Sequence, residues 1–264
     1  MTFVTRGQKI YFAAVGLLAL WVGIWGYFIP THVDEAIPWM VPPLHARFLG
    51  AMYFSGATFM VGCMLARRWA EVRVILPMIA IWTGMLFIVS LFYLNEFDYS
   101  RPQVWVWFSA YFFYPIIALW LMWQERATDM SPTGAVLPKW ANTYLLGQGS
   151  LVTILALGLL FLPNFMVTVW PWKITPLLAQ LYSAPFLSYG IGSLMLARRQ
   201  RWLEIRVAVT AMLVFAVFVL LASIIHLELF SIADTADWLW LGSFTLAVLM
   251  LGFLTNRAFA SHQL

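Results

Sequence analysis

Charge is scarce in this sequence. Only 10% of its residues are Asp, Glu, Lys or Arg, while 63% are hydrophobic and the mean hydropathy is +0.84. A water-soluble domain carries about 25% charged residues because its surface stays wet, so a chain this poor in charge has a surface made mostly for lipid. Cysteine is nearly absent too. Cys63 stands alone inside an apolar run, which excludes internal disulfides and cysteine-metal frameworks. A phosphate-binding glycine loop with its lysine, a His-Glu-x-x-His pair and a Gly-x-Ser-x-Gly elbow are all missing. No apolar run carries an arginine ladder or a filter-like loop, and none has an acidic residue at its middle, where a proton or sodium relay would need one. The net charge of +4 does not gather into a groove-sized patch, so nucleic acid is not an expected partner.

What the chain does contain is apolar sequence in long, continuous runs. A helix that crosses the hydrocarbon core needs about 20 apolar residues. Eight runs meet that need: Ile10–Ile29, Leu44–Ala66, Val72–Leu94, Val104–Trp123, Tyr144–Phe165, Leu177–Ala197, Leu203–Leu227 and Trp238–Leu254. They lack the alternation of a barrel strand, so the expected fold is all-α and polytopic. Aromatics reach 17%, with 15 Trp, many at run ends where amphipathic rings settle at headgroup level. The first run is longer than the apolar core of a signal peptide and has no small-residue cleavage site after it, so it reads as a retained helix. Most prolines mark run ends, whereas Pro77, Pro115 and Pro185 fall inside runs and are expected to kink them.

Basic residues set the expected orientation. With the N-terminus in the cytoplasm, the cytoplasmic segments hold twelve: Arg6, Lys9, Arg67, Arg68, Arg73, Arg126, Lys139, Arg198, Arg199, Arg201, Arg206 and Arg257. The other side holds three: Arg47, Arg101 and Lys173. This positive-inside bias places both termini in the cytoplasm of a cell-membrane protein. The opposite face is acidic, with Asp34, Glu35, Glu96, Asp98, Glu228, Asp234 and Asp237.

The chain also repeats itself. Pro38-Trp39 with Pro43-Leu44 returns as Pro171-Trp172 with Pro176-Leu177, and Trp105-x-Trp107 returns as Trp238-x-Trp240. One constant offset makes both matches, carrying position 38 to 171 and position 105 to 238. Leu65-Ala66-Arg67-Arg68, with Trp69, Glu71 and Arg73, returns as Leu196-Ala197-Arg198-Arg199, with Trp202, Glu204 and Arg206, after a two-residue adjustment. An ordered series across three loops predicts two tandem four-helix units, 1–127 and 143–264, joined by a cytoplasmic linker, 128–142. Four helices per unit is an even number, so both units insert the same way up, around a pseudo-twofold axis along the membrane normal.

Two groups of polar residues are candidates for function. The repeated basic motif (Arg67, Arg68, Glu71, Arg73 and Arg198, Arg199, Glu204, Arg206) fits a topology signal or a surface for anionic headgroups. In it Glu71 and Glu204 favour the positive N-termini of the helices that follow, and Arg73 and Arg206 have those carboxylates within reach. The second group lies near the external ends of the runs: His45, Arg47, Tyr93, Asn95, Glu96, Gln180, His226 and Glu228. Within the repeat His45 aligns with Leu178, Arg47 with Gln180, Tyr93 with His226 and Asn95 with Glu228. Polar groups near hydrocarbon mark a functional site by default, which here predicts an external cavity between the units, with Arg47 paired to Glu228 or Glu96. Imidazole suits metals and haem, but His45 and His226 do not fall at matching positions of the two units, and His262 lies on the opposite side, so no cofactor or metal is expected.

The stretch Pro38-Trp39, Pro42-Pro43, Phe48 and Tyr53 resembles the Trp-Pro-Pro region of the tryptophan-rich sensory (translocator) proteins, five-helix binders of porphyrins and sterols. It covers one short part of the chain, the eight-run duplicated layout departs from that family, and no site is carried over. The reading that results is a non-enzymatic membrane protein that binds or moves a small lipophilic or anionic molecule. A subunit of a larger membrane complex is the alternative, and a membrane redox protein or enzyme the third.

Overall fold

A computed structural model describes residues 3–124, 135–231 and 233–260. Arg126, His262 and most of the expected linker lie outside them. The described residues are helical, with no strand among them. Eight long helices follow in order: α1 (Arg6–Phe28), α2 (Pro43–Leu65), α3 (Ile75–Phe92), α4 (Pro102–Gln124), α5 (Lys139–Phe161), α6 (Pro176–Leu196), α7 (Trp202–Ile225) and α8 (Thr235–Ala260). Seven are long and apolar enough to cross a bilayer, α3 being counted with the turn Trp69–Val72 before it. The protein is therefore a multi-pass membrane protein. The eighth expected span, α6, does not reach that measure, because Gln180, Tyr182, Ser183, Ser188, Tyr189 and Ser193 dilute its apolar residues. It can carry them because it is central: thirteen of its 21 residues are buried.

Local chemistry sets the boundaries. Thr5 caps α1, accepting from the Gln8 N–H, while the Gln8 side chain accepts from the Thr5 N–H. Pro43 and Pro176 open α2 and α6, where a missing N–H costs nothing. Pro77 falls in the first turn of α3 and not in a helix interior, because the chain breaks at 73–74; Pro115 and Pro185 do lie inside helices. The expected run Tyr144–Phe165 divides at Leu162, and a short helix, Pro163–Val169, follows it.

Helices α2, α3, α6 and α7 form the centre, α2 against α7 and α3 against α6. Outside them α1 lies along α2, α4 along α3, α5 along α6 and α8 along α7. In lipid, such contacts rest on van der Waals fit and a few hydrogen bonds, not on escape from water. Fit is closest at glycines: a Cβ on Gly50 would stand 2.6 Å from the Tyr27 backbone nitrogen, and one on Gly190 2.7 Å from that of Thr153.

Many contacts recur at the offset of the sequence repeat. Trp107 Nε1 donates to Ser90 Oγ at 2.9 Å, and Trp240 Nε1 to Ser223 Oγ at 3.0 Å. Ser55 Oγ donates to the Ala211 carbonyl at 2.6 Å, and Ser188 Oγ to that of Met78 at 2.8 Å. Phe3 bridges Arg68 as Val136 bridges Arg201.

Candidate functional site

The basic motif closes one end of the helix bundle. Glu71 accepts from the Arg68 N–H at 3.1 Å and Glu204 from the Arg201 N–H at 3.2 Å, so each carboxylate satisfies a donor at a helix start. Beyond that the two copies differ. Glu71 is buried and pairs with Arg206 of the other half, whereas Glu204 has Arg199 at 3.9 Å. Arg73, the counterpart of Arg206, is exposed. Burial, and then the like charge of Arg73, lower the Arg199 guanidinium from its ordinary value, against the pull of Glu204.

At the acidic end, four of the eight expected residues form two bonds of matching position. Arg47 at the start of α2 donates to His226 Nε2 at the end of α7, and Tyr93 at the end of α3 donates to Gln180 Oε1 at the start of α6, at 2.6 Å. The repeat aligns position 47 with 180 and position 93 with 226, so the same two places meet twice with different chemistry. The expected direct pair between Arg47 and Glu228 or Glu96 is replaced by a chain through the imidazole. Arginine can only donate, so His226 Nε2 accepts, and the opposite Nδ1–H faces Glu228 Oε1 at 3.4 Å. Partial burial, then the Glu96 carboxylate, push the Tyr93 phenol up and keep it a donor. Gln180 also donates to the Leu160 carbonyl at 2.8 Å, which ties α5 into the same junction.

His45 is buried and bonds Tyr182 through Nδ1 at 2.9 Å. Its ring stands edge-on to Trp172. Where the repeat would set a second such pair, it sets Leu49 and Leu178, both packed in the same apolar cluster. Asn95 and Glu96 are exposed, and the Glu96 carbonyl accepts from Trp39 Nε1 at 3.2 Å. Asp34 pairs with Arg101 at 3.1 Å. Among the described residues no three of His, Cys, Asp and Glu gather as metal ligands would.

Sequence reading missed two apolar spaces, which occupy matching places in the two halves. In the first, about 60 Å³ is enclosed by Val15, Tyr53, Trp82, Thr83, Tyr111 and Tyr114, among others. In the second, about 410 Å³ runs between α5 and α8; the aligned positions Gln148, Phe186, Phe215, Ala216, Phe244 and Ala247 border it. Aligning the halves residue by residue carried the signal, since Ala247 stands where the first half has Tyr114. No protein family, curated protein or solved structure matches the chain.

Proposed function

We propose that the protein is a non-enzymatic membrane protein, made of two tandem four-helix units about a pseudo-twofold axis, that binds the anionic group of a small lipophilic molecule at its acidic end. Contacts repeated at the offset of the sequence motifs support the tandem arrangement. The twelve-to-three distribution of basic residues supports cytoplasmic termini and an external acidic end. The observation that carries the binding site is Arg47. Its half-buried guanidinium, at the contact of α2 with α7, donates to the His226 imidazole and not to a carboxylate. No ion pair to Arg47 occurs among the described residues. A charge partly withdrawn from water without a counterion is costly, so an anion that fits there is attracted to it.

Native mass spectrometry of the chain, extracted in mild detergent from its own membrane, tests this. A non-lipid anionic adduct that Arg47→Leu abolishes, while the thermal transition persists, supports the site. A stoichiometric protein partner with no such adduct replaces this reading with that of a complex subunit.

A further inference from the structure

The groove between α5 and α8 lies between the two least buried spans, whose apolar windows are 22% and 17% buried against 50% for α2 and α7. Its volume falls in the range of small-molecule pockets, about 300–1,000 Å³. Leu151 and Leu246 line it near the bilayer side and Met212 and Phe215 form its floor. One amide stands in this apolar space. Gln148 Oε1 is buried and accepts no hydrogen bond.

Toward the basic end, a second and separate depression of about 440 Å³ lies at the same two helices, bordered by Trp140, Phe253 and Arg257. The Arg257 guanidinium stands 5.1 Å from the Phe253 ring centroid, and that ring is 5.5 Å from Trp140. Arg257 has no carboxylate within ion-pair distance among the described residues. Ser243, which borders the groove, and Arg257 are fourteen residues apart on α8, about 21 Å at 1.5 Å per residue. Two depressions thus follow each other along α5 and α8, an apolar slot with one amide and a second bordered by a cation that pairs with no carboxylate among the described residues.

We propose that the slot holds one anionic glycerophospholipid. An acyl chain lies between α5 and α8, and the phosphate sits at Arg257, whose stacked ring holds the guanidinium in place. This site is at the opposite end of the bundle from Arg47 and does not depend on it.

The test uses the full chain in detergent, titrated with phosphatidylglycerol or phosphatidylcholine of identical acyl chains and read by native mass spectrometry. The expected result is one retained lipid, with phosphatidylglycerol preferred about fivefold, the effect of one basic residue at a membrane surface. Arg257→Gln removes the preference. Gly147→Phe fills the slot and abolishes retention of both lipids; a Cβ there meets nothing within 4 Å, so the added ring enters open space. Gly242→Phe, equally open but outside the slot, leaves retention unchanged. Thermal unfolding of each variant identifies any loss of fold, and Gly147→Leu then replaces the phenylalanine variant. Equal retention by the wild type and the filled variant overturns the proposal. So does equal affinity for the two lipids, or a membrane polypeptide found in the slot at one copy per chain.

Discussion

The two halves of this protein build the same space and finish it differently. In the first, Tyr11 Oη donates to the Tyr114 carbonyl at 2.8 Å, Tyr114 Oη donates to that of Ala14 at 3.4 Å, and the two rings meet edge to face. These contacts close α1 against α4 and leave about 60 Å³. In the second, Ala247 takes the place of Tyr114 and offers no ring to Tyr144, and α5 and α8 border about 410 Å³. Chain direction and central packing are shared, so the difference comes from a few side chains on the outer helices.

The central junction contrasts the halves most sharply at the basic end. Glu71→Gln leaves Arg206 without its buried partner, and thermal unfolding in detergent should show a loss of about 3 kcal/mol. Glu204→Gln, at the matching position, should cost less than about 1 kcal/mol, because Arg199 approaches it only to 3.9 Å. Equal losses would mean that the halves carry the same ionic load.

Next comes the seal itself. Tyr114→Ala should open the first unit, cost about 2 kcal/mol and admit a second lipid in the mass spectrum. An unchanged lipid count would show that Tyr114 does not gate access. A symmetric pair sharpens the comparison from the other side. Ser90→Ala and Ser223→Ala each remove the acceptor of a buried tryptophan N–H, and each should cost about 1 kcal/mol. Losses that differ by more than about twofold would break the equivalence of the two serines.

The smallest effect belongs to the exposed turn before α4. The Ser100 hydroxyl and then its N–H hold the Asp98 carboxyl below its ordinary value. A depressed carboxylate contributes stability above its unfolded value and loses it as pH falls through the folded one. Acidification through that window should therefore loosen the turn before α4. Amide hydrogen exchange across 98–104 would register the loosening.

Particular residues show how far sequence reading goes. The polar character of 47, 93, 180 and 226 and their common depth were legible, because run ends and repeat spacing follow from composition. Their partners were not. Arg47 meets an imidazole in place of a carboxylate because α2 lies against α7, a choice that depends on which helix faces look inward. For the same reason Glu71 reaches Arg206 across the junction and not Arg73 two residues away. Tyr182, which fixes His45, and Gln148, which stands in the slot, lie inside apolar runs, where no local pattern separates a polar residue packed within the bundle from one facing lipid.

The sequence by itself determined that this chain is helical and membrane-embedded, since about 20 apolar residues in a row satisfy their backbone only as a helix in hydrocarbon. It also carried the constant spacing of the repeated motifs and the uneven distribution of basic charge. Only the tertiary structure decided which helices became central, which polar groups met across the junction, and which of two matching spaces stayed open. Those outcomes depend on shape fit between side chains far apart in sequence, and in lipid no solvent force sorts the faces of an apolar helix in advance.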